Sequence, residues 1–206
     1  MAQAAPNQGR LVASLRDGKV AAIATESTFA LMADASNSSA LDSLFELKPR
    51  GASGGVALML PSVESWERWA VRVPPLACRL ARRFWPGSLT IVLPARGEVD
   101  PRLTIGGAIG VRLPGACPAG TVTQICGFAT TATSANLPGK PPATTPGQVL
   151  GTWSPFQRRK LVVGGRRCLG GLPSTLVAFK GNSLVILRPG AVPVIELEQH
   201  AHVCTP

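Results

Sequence analysis

Residues Phe128 to Gly139 read FATTATSANLPG, an apolar, β-branched run that delivers Thr133, Ser134 and Asn136 into a turn closed by Leu137-Pro138-Gly139. Such a turn offers backbone N–H groups, hydroxyls and an amide side by side, a donor set suited to an anion. A hydroxyl-rich turn can also do no more than close a loop. Cations elsewhere give it direction: Lys48-Pro49-Arg50 follows a helical pattern, and Arg112 and Arg188 end two further apolar runs. Cations, hydroxyls and an amide suit phosphoryl or nucleotidyl transfer, where the protein positions an anion and neutralises its developing charge.

The groups that other chemistries require are missing. The chain has no Tyr, its two His lie at 200 and 202 in the terminal tail, and no carboxylate pair stands in a motif-like setting. General acid–base and triad mechanisms therefore lack their usual groups. The five Cys, at 78, 117, 126, 168 and 204, include no C-x-x-C pair and read as buried or incidental thiols rather than zinc ligands. Gly54-Gly55, Gly106-Gly107, Gly164-Gly165 and Gly170-Gly171 match neither a Walker A loop nor a dinucleotide fingerprint. A nucleotide here would be held by another architecture.

Bulk composition agrees with an anion-handling protein. The 206 residues suffice for one sizeable core, and no composition break divides them, so a single domain over 1–206 is expected, with a core of about 10–192 and a tail of 193–206. Hydrophobic residues make up 45% and charged residues 16%, which argues for a folded chain. The net charge of +10 points to an anionic substrate or partner. The uncharged stretch Leu113 to Gly139 is too broken by Pro, Gly and hydroxyl residues to cross a membrane, and MAQAAPNQGR lacks the apolar centre of a signal peptide. A cytoplasmic protein is expected.

Alternating strand-like and helix-like segments must position these groups. Asn7 caps a predicted helix through Leu11, Val12 and Leu15 that Gly18 stops, and Lys19 to Ala24 is a short apolar strand. Thr25 to Asn37 reads as a polar excursion. Ser39 opens a helix with Ala40, Leu41, Leu44, Phe45 and Leu47 at helical spacing, which delivers Lys48 and Arg50 at its exit. Beyond the loop Gly51 to Gly55, strands are predicted at Val56–Leu60, Ser88–Leu93, Ile109–Leu113, Phe128–Ala132, Leu161–Val163, Thr175–Phe179 and Leu184–Leu187. Helical patterns run at Ser65–Val71, Leu76–Phe84 and weakly at Thr121–Cys126. The order is α/β with adjacent late strands, hence a mixed sheet.

Read together, these segments resemble the YrdC-like threonylcarbamoyl-AMP synthase family, also called L-threonylcarbamoyladenylate synthases. Lys19 to Leu31, KVAAIATESTFAL, is similar to its "V-I-A-x-P-T-E-T-V-Y-G-L", and Glu46-Leu47-Lys48-Pro49-Arg50 to its "K-x-R-P". In the same order, Trp85 to Thr90 resembles "W-P-G-P-L-T", Val111-Arg112 "A-V-R", Thr133 to Gly139 "T-S-A-N-x-S-G", Pro173 to Thr175 "P-S-T", and Ile186 to Gly190 "I-L-R-x-G".

The resemblance implies an open twisted mixed sheet with flanking helices and a concave basic face. It implies a nucleotidyltransferase that joins L-threonine, bicarbonate and ATP into threonylcarbamoyl-AMP and pyrophosphate, toward N6-threonylcarbamoyladenosine in tRNA. By motif, Thr25, Arg112 and Ser174 would hold threonine. Lys48, Arg50, Ser134 and Asn136 would bind ATP and act in catalysis, joined in ATP binding by Arg188. Mg²⁺ would arrive on the phosphates rather than in a protein cage, and a downstream threonylcarbamoyl transferase would take the product.

The chain departs from the pattern at Ala24, at Phe29-Ala30, through Gly51 to Val56, and at Pro138. These are loop positions around the expected ligand, so the rim differs more than the scaffold. Two alternatives accompany the departures: a related carbamoyl-adenylate enzyme, and a non-catalytic paralogue that contacts tRNA or double-stranded RNA. The +10 charge suits phosphate-backbone binding, whereas aromatics at 5% supply few stacking platforms.

Overall fold

Every side chain of Val20–Ala24 is buried, and this strand, β1, receives partners on both sides. The computed structural model of the chain describes residues 8–49 and 55–204. Arg50, the segment 51–54 and the expected cap Asn7 therefore lie outside the described residues. In chain order, α1 (Gln8–Arg16) precedes β1, then come β2 (Phe29–Met32), α2 (Ser38–Leu47), β3 (Leu58–Met59), α3 (Pro75–Phe84), β4 (Leu89–Pro94) and β5 (Ala108–Arg112). The second half runs α4 (Pro118–Cys126), β6 (Thr130–Thr131), β7 (Thr133–Ser134), α5 (Pro146–Thr152), β8 (Leu161–Gly164), β9 (Thr175–Lys180), β10 (Ser183–Arg188), α6 (Val194–Glu198) and β11 (Val203–Cys204). The segment expected as a helix at Ser65–Val71 is a single 3₁₀ stretch, Glu64–Arg68.

Hydrogen bonding divides the strands into two open mixed sheets, ordered β7-β2-β1-β8 and β11-β10-β9-β4-β5-β3-β6. In the first, β1 pairs antiparallel with β2 and parallel with β8. In the second, β4 pairs antiparallel with β5 and parallel with β9. The inward residues Leu89, Ile91 and Leu93 of β4 are essentially inaccessible and belong to the same buried cluster as Leu76, Ala77 and Leu80 of α3. Burying such side chains contributes roughly 1.5–3 kcal/mol each, and it leaves the opposite face of β4 for the site.

Two sequence expectations change. The supposed polar excursion from Thr25 to Asn37 holds β2, all four residues of which are buried. Its apolar run is short and flanked by Glu26, Ser27 and Asp34, so local alternation does not reveal it. The turn expected at Thr133-Ser134 begins as β7, because Ala30 pairs with Ser134 and Leu31 with Thr133. Without β2 in view, β7 has no visible partner. The expected tail also carries structure over 193–204: α6 buries Leu197 completely, and β11 pairs parallel with β10.

Candidate active site

Register places the chemistry. Thr90 of β4 pairs with Leu176 of β9, Leu176 pairs with Arg188 of β10, and Arg112 of β5 pairs with Met59 of β3. Because Ile91 pairs with Val111, the antiparallel register carries on to bring Thr90 level with Arg112. Side chains alternate faces along a strand, so Thr90, Leu176, Arg188, Arg112 and Met59 share one face at one end of the sheet. They line a cavity of about 730 Å³. Val92, Gly110 and Ala178 continue its floor, and Thr25, Thr28 and Ser134 supply the opposite wall.

Ser174 lies just ahead of β9, and its hydroxyl is 2.8 Å from that of Thr90. Arg188 donates through Nη2 to the Ser174 carbonyl at 2.9 Å and to its Oγ at 3.3 Å. The turn after β10 must come close for this to happen. A Cβ at Gly190 would stand 2.6 Å from both Ser174 C and Thr175 N, so glycine there permits the approach. Arg188 is open along its surface, yet its head sits in the cleft, where lost water and then the like charge of Arg112 lower its pKa.

A second cluster forms where α2 ends. Asn37 caps α2 through its side chain, which accepts from the Ala40 N–H. At the other end Lys48 N donates to Leu44 O, and the Trp153 indole donates to Leu47 O at 2.8 Å, tying this exit to α5. Lys48 is then only 5% exposed. Its Nζ donates to Ser134 O at 2.5 Å, to Ser134 Oγ at 3.2 Å and to Asn136 Oδ1 at 2.9 Å. Ser134 Oγ in turn donates to Asn136 Oδ1 at 2.6 Å, and Asn136 Nδ2 donates to Lys140 O. Neutral oxygens thus gather around this ammonium. Lys48 and Asn136 stand one hydrogen bond behind Ser134, which itself faces the cavity.

Arg112 is handled differently. Its side chain is 8% exposed, and Nη2 donates to Glu26 Oε2 at 2.8 Å. Gly115 N donates to Glu26 Oε1 at 3.0 Å. Burial pushes the Glu26 carboxyl upward, but the Arg112 charge and the hydrogen bonds outweigh it and hold the group below its ordinary value. Nearby, Cys117 caps α4 by accepting the Gly120 N–H at 3.3 Å. Burial, followed by the Glu26 charge, pushes that thiol up to about 11.

Of the expected residues, Thr25, Ser134, Arg112, Ser174 and Arg188 line one cavity, with Lys48 and Asn136 behind it. Arg50 falls outside the described residues. The Thr25 hydroxyl is engaged within its own turn, donating to Thr28 O at 2.6 Å and accepting from the Ser27 and Thr28 N–H groups. Sequence reasoning gave no role to Glu26 or Thr90. Glu26 lies inside a quoted motif, but nothing in the sequence pairs it with a guanidinium 86 residues away. Among the described residues no group of three or more His, Cys, Asp or Glu could hold a metal ion, and no helix is long and apolar enough to cross a membrane.

Two mixed sheets that meet at a cleft walled by guanidinium and hydroxyl groups define an α/β protein with a basic, polar pocket. The chain belongs to the Sua5/YciO/YrdC family, whose model, described as "Telomere recombination", matches residues 13–190. It is 34% identical over 187 residues to a threonylcarbamoyl-AMP synthase of Pyrococcus abyssi, covering 90% of this chain and 54% of that protein. A threonylcarbamoyl-AMP synthase of Thiobacillus denitrificans is 36% identical over 171 residues, covering 82% of this chain and 89% of the relative. The crystal structure of P. abyssi Sua5 complexed with L-threonine superposes with a TM-score of 0.86 at 30% identity, covering 96% of this chain and 58% of that one. The chain thus spans about half the length of the Pyrococcus protein.

Proposed function

We propose that this chain forms threonylcarbamoyl-AMP and pyrophosphate from L-threonine, bicarbonate and ATP. One observation carries the reading: Thr25, Ser134, Arg112, Ser174 and Arg188, drawn from separate stretches of chain, face one cavity of about 730 Å³. The names of the relatives and the threonine bound to P. abyssi Sua5 support the same assignment.

In this reading Arg112 pairs with the threonine carboxylate, with Ser174 beside it. Thr25 supports that subsite through its turn rather than through its hydroxyl, which is already engaged. Ser134 and Arg188 face the triphosphate, Lys48 and Asn136 act on it from one hydrogen bond behind Ser134, Arg50 joins them by motif, and the low floor of Gly110, Val92 and Ala178 gives the base an apolar surface. The threonine amine adds to bicarbonate with loss of water, giving a carbamate. A carbamate oxygen then attacks the α-phosphorus as the bond to pyrophosphate breaks. The protein contributes position and charge, not a proton relay. Mg²⁺ would be held by the ATP phosphates rather than by a protein cage, and would supply neutralisation of the charge that develops on the departing pyrophosphate.

The +10 charge supports contact with tRNA phosphates. A labile adenylate also calls for a cytoplasmic partner that transfers the threonylcarbamoyl group onward. The test is pyrophosphate release from ATP, Mg²⁺ and bicarbonate, with and without L-threonine. Threonine-dependent release is expected. Release that ignores threonine, or none at all beside salt-sensitive retention of RNA, would sink the assignment.

A further inference from the structure

We propose that Glu26 is a positioning residue, which aims the Arg112 guanidinium so that its remaining N–H edge meets the carboxylate of the amino-acid substrate. The inference rests on the reading of the cleft as a threonine site and deepens it. Arg112 ends β5 with its side chain almost wholly buried, so its charge needs a partner inside the protein. Among the described residues Glu26 is the only acceptor its side chain has, through Nη2 at 2.8 Å. A guanidinium carries five N–H donors in a rigid plane. Fixing one edge therefore orients the others, and Arg112 also lines the cavity.

Glu26 is itself held. Its Oε1 accepts from Gly115 N at 3.0 Å, on the turn between β5 and α4, and it leaves β1 on the segment that turns into β2. The carboxylate thus bridges the two sheets from behind the cavity wall, where Thr25, Ser27 and Thr28 are the wall residues of its segment. Arg188 stands in the same cleft with like charge. Without Glu26, repulsion and the flexible stem of Arg112 would let the guanidinium move away from the subsite. Glu26 does this without touching substrate.

The test compares wild type, Glu26→Ala and Glu26→Gln for threonine-dependent pyrophosphate release at saturating ATP, with ATP affinity measured separately. Glu26→Ala is expected to raise the threonine KM roughly tenfold or more, the scale of one charge-assisted pair. Its kcat at saturating threonine should stay within about threefold, and its ATP affinity should not move. Glu26→Gln should fall between, because an amide oxygen can accept from Arg112 or from Gly115 N–H but its NH₂ cannot serve the other donor. Wild type should also bind threonine better than threoninamide, and Glu26→Ala should lose most of that preference.

An unmoved threonine KM in Glu26→Ala, or losses in kcat and ATP affinity as large as the change in KM, overturns the inference while leaving the cleft assignment intact. Wild-type protein that shows no threonine-dependent release overturns the cleft assignment itself, and the inference with it.

Discussion

The ammonium of Lys48 lies 2.9 Å from the side-chain oxygen of Asn136, across 88 residues of chain, with the Ser134 hydroxyl in contact with both. Helix α2 supplies the cation and the end of β7 supplies the acceptors. The cluster places a positive charge one hydrogen bond from the cavity without exposing it to water, where it would be screened.

Replacing Lys48 by Ala removes that charge and leaves three acceptor contacts without their donor. The expected outcome is a kcat for pyrophosphate release lowered by about 10²–10³-fold, or about 2.7–4 kcal/mol, the scale for one preorganised donor. Steady-state kinetics with threonine varied would show it, and near-normal turnover would remove Lys48 from the reaction.

Gly190→Ala tests the approach of the β10 turn to Ser174. The added methyl would meet backbone atoms of Ser174 and Thr175 at 2.6 Å, and backbone cannot swing aside as a side-chain tip can. A stability loss of about 1–3 kcal/mol is expected from overpacking, measured by urea unfolding. The threonine KM should rise with it, because Ser174 and the Arg188 contact move together.

Stability should fall on the acid side in a way that depends on Glu26. Although burial raises its pKa, the Arg112 charge and the N–H donors leave it below the ordinary 4.5. A carboxylate favoured in the folded state adds stability at all pH above the unfolded value, and loses it as pH falls from about 4.5 through the lower folded pKa. Glu26→Gln should flatten that limb. Asp100 acts in the same direction through its hydrogen bonds from Arg102, so some slope must remain. Thermal unfolding from pH 7 to 3 would test this, and superimposable slopes for the two proteins would count against the Glu26–Arg112 pair.

The thiols of Cys117 and Cys126 are both pushed up to about 11, chiefly by burial. At pH 8 they should be alkylated far more slowly than an ordinary exposed thiol, because the thiolate is the nucleophile. Cys78 and Cys204 are partly accessible. Peptide mapping after brief iodoacetamide treatment should find label at these two first, and early label at Cys117 would contradict its burial beside Glu26.

Much of this molecule was legible in order of residues alone. Buried strands such as β1 and β4 announce themselves by apolar runs, α2 by its 3.6-residue period, and the cations by their place at the ends of those elements. The motif order carried the family, and residues 13–190 match it. Local signals failed where a partner decides: β7 reads as a polar turn because it becomes a strand only by pairing with β2, far back in the chain, and β2 reads as polar connection although it pairs with β1 on its other side. The tail strand β11 likewise depends on β10.

What the sequence determined by itself was therefore the inventory: which cations, hydroxyls and amide exist, and which elements carry them. Tertiary structure decided their company. Register across β10-β9-β4-β5 set Arg188, Thr90 and Arg112 on one face, and a fold-back of 86 residues gave Arg112 its carboxylate. The physical reason is that periodicity is a property of neighbours in sequence, whereas pairing of buried charges is a property of neighbours in space.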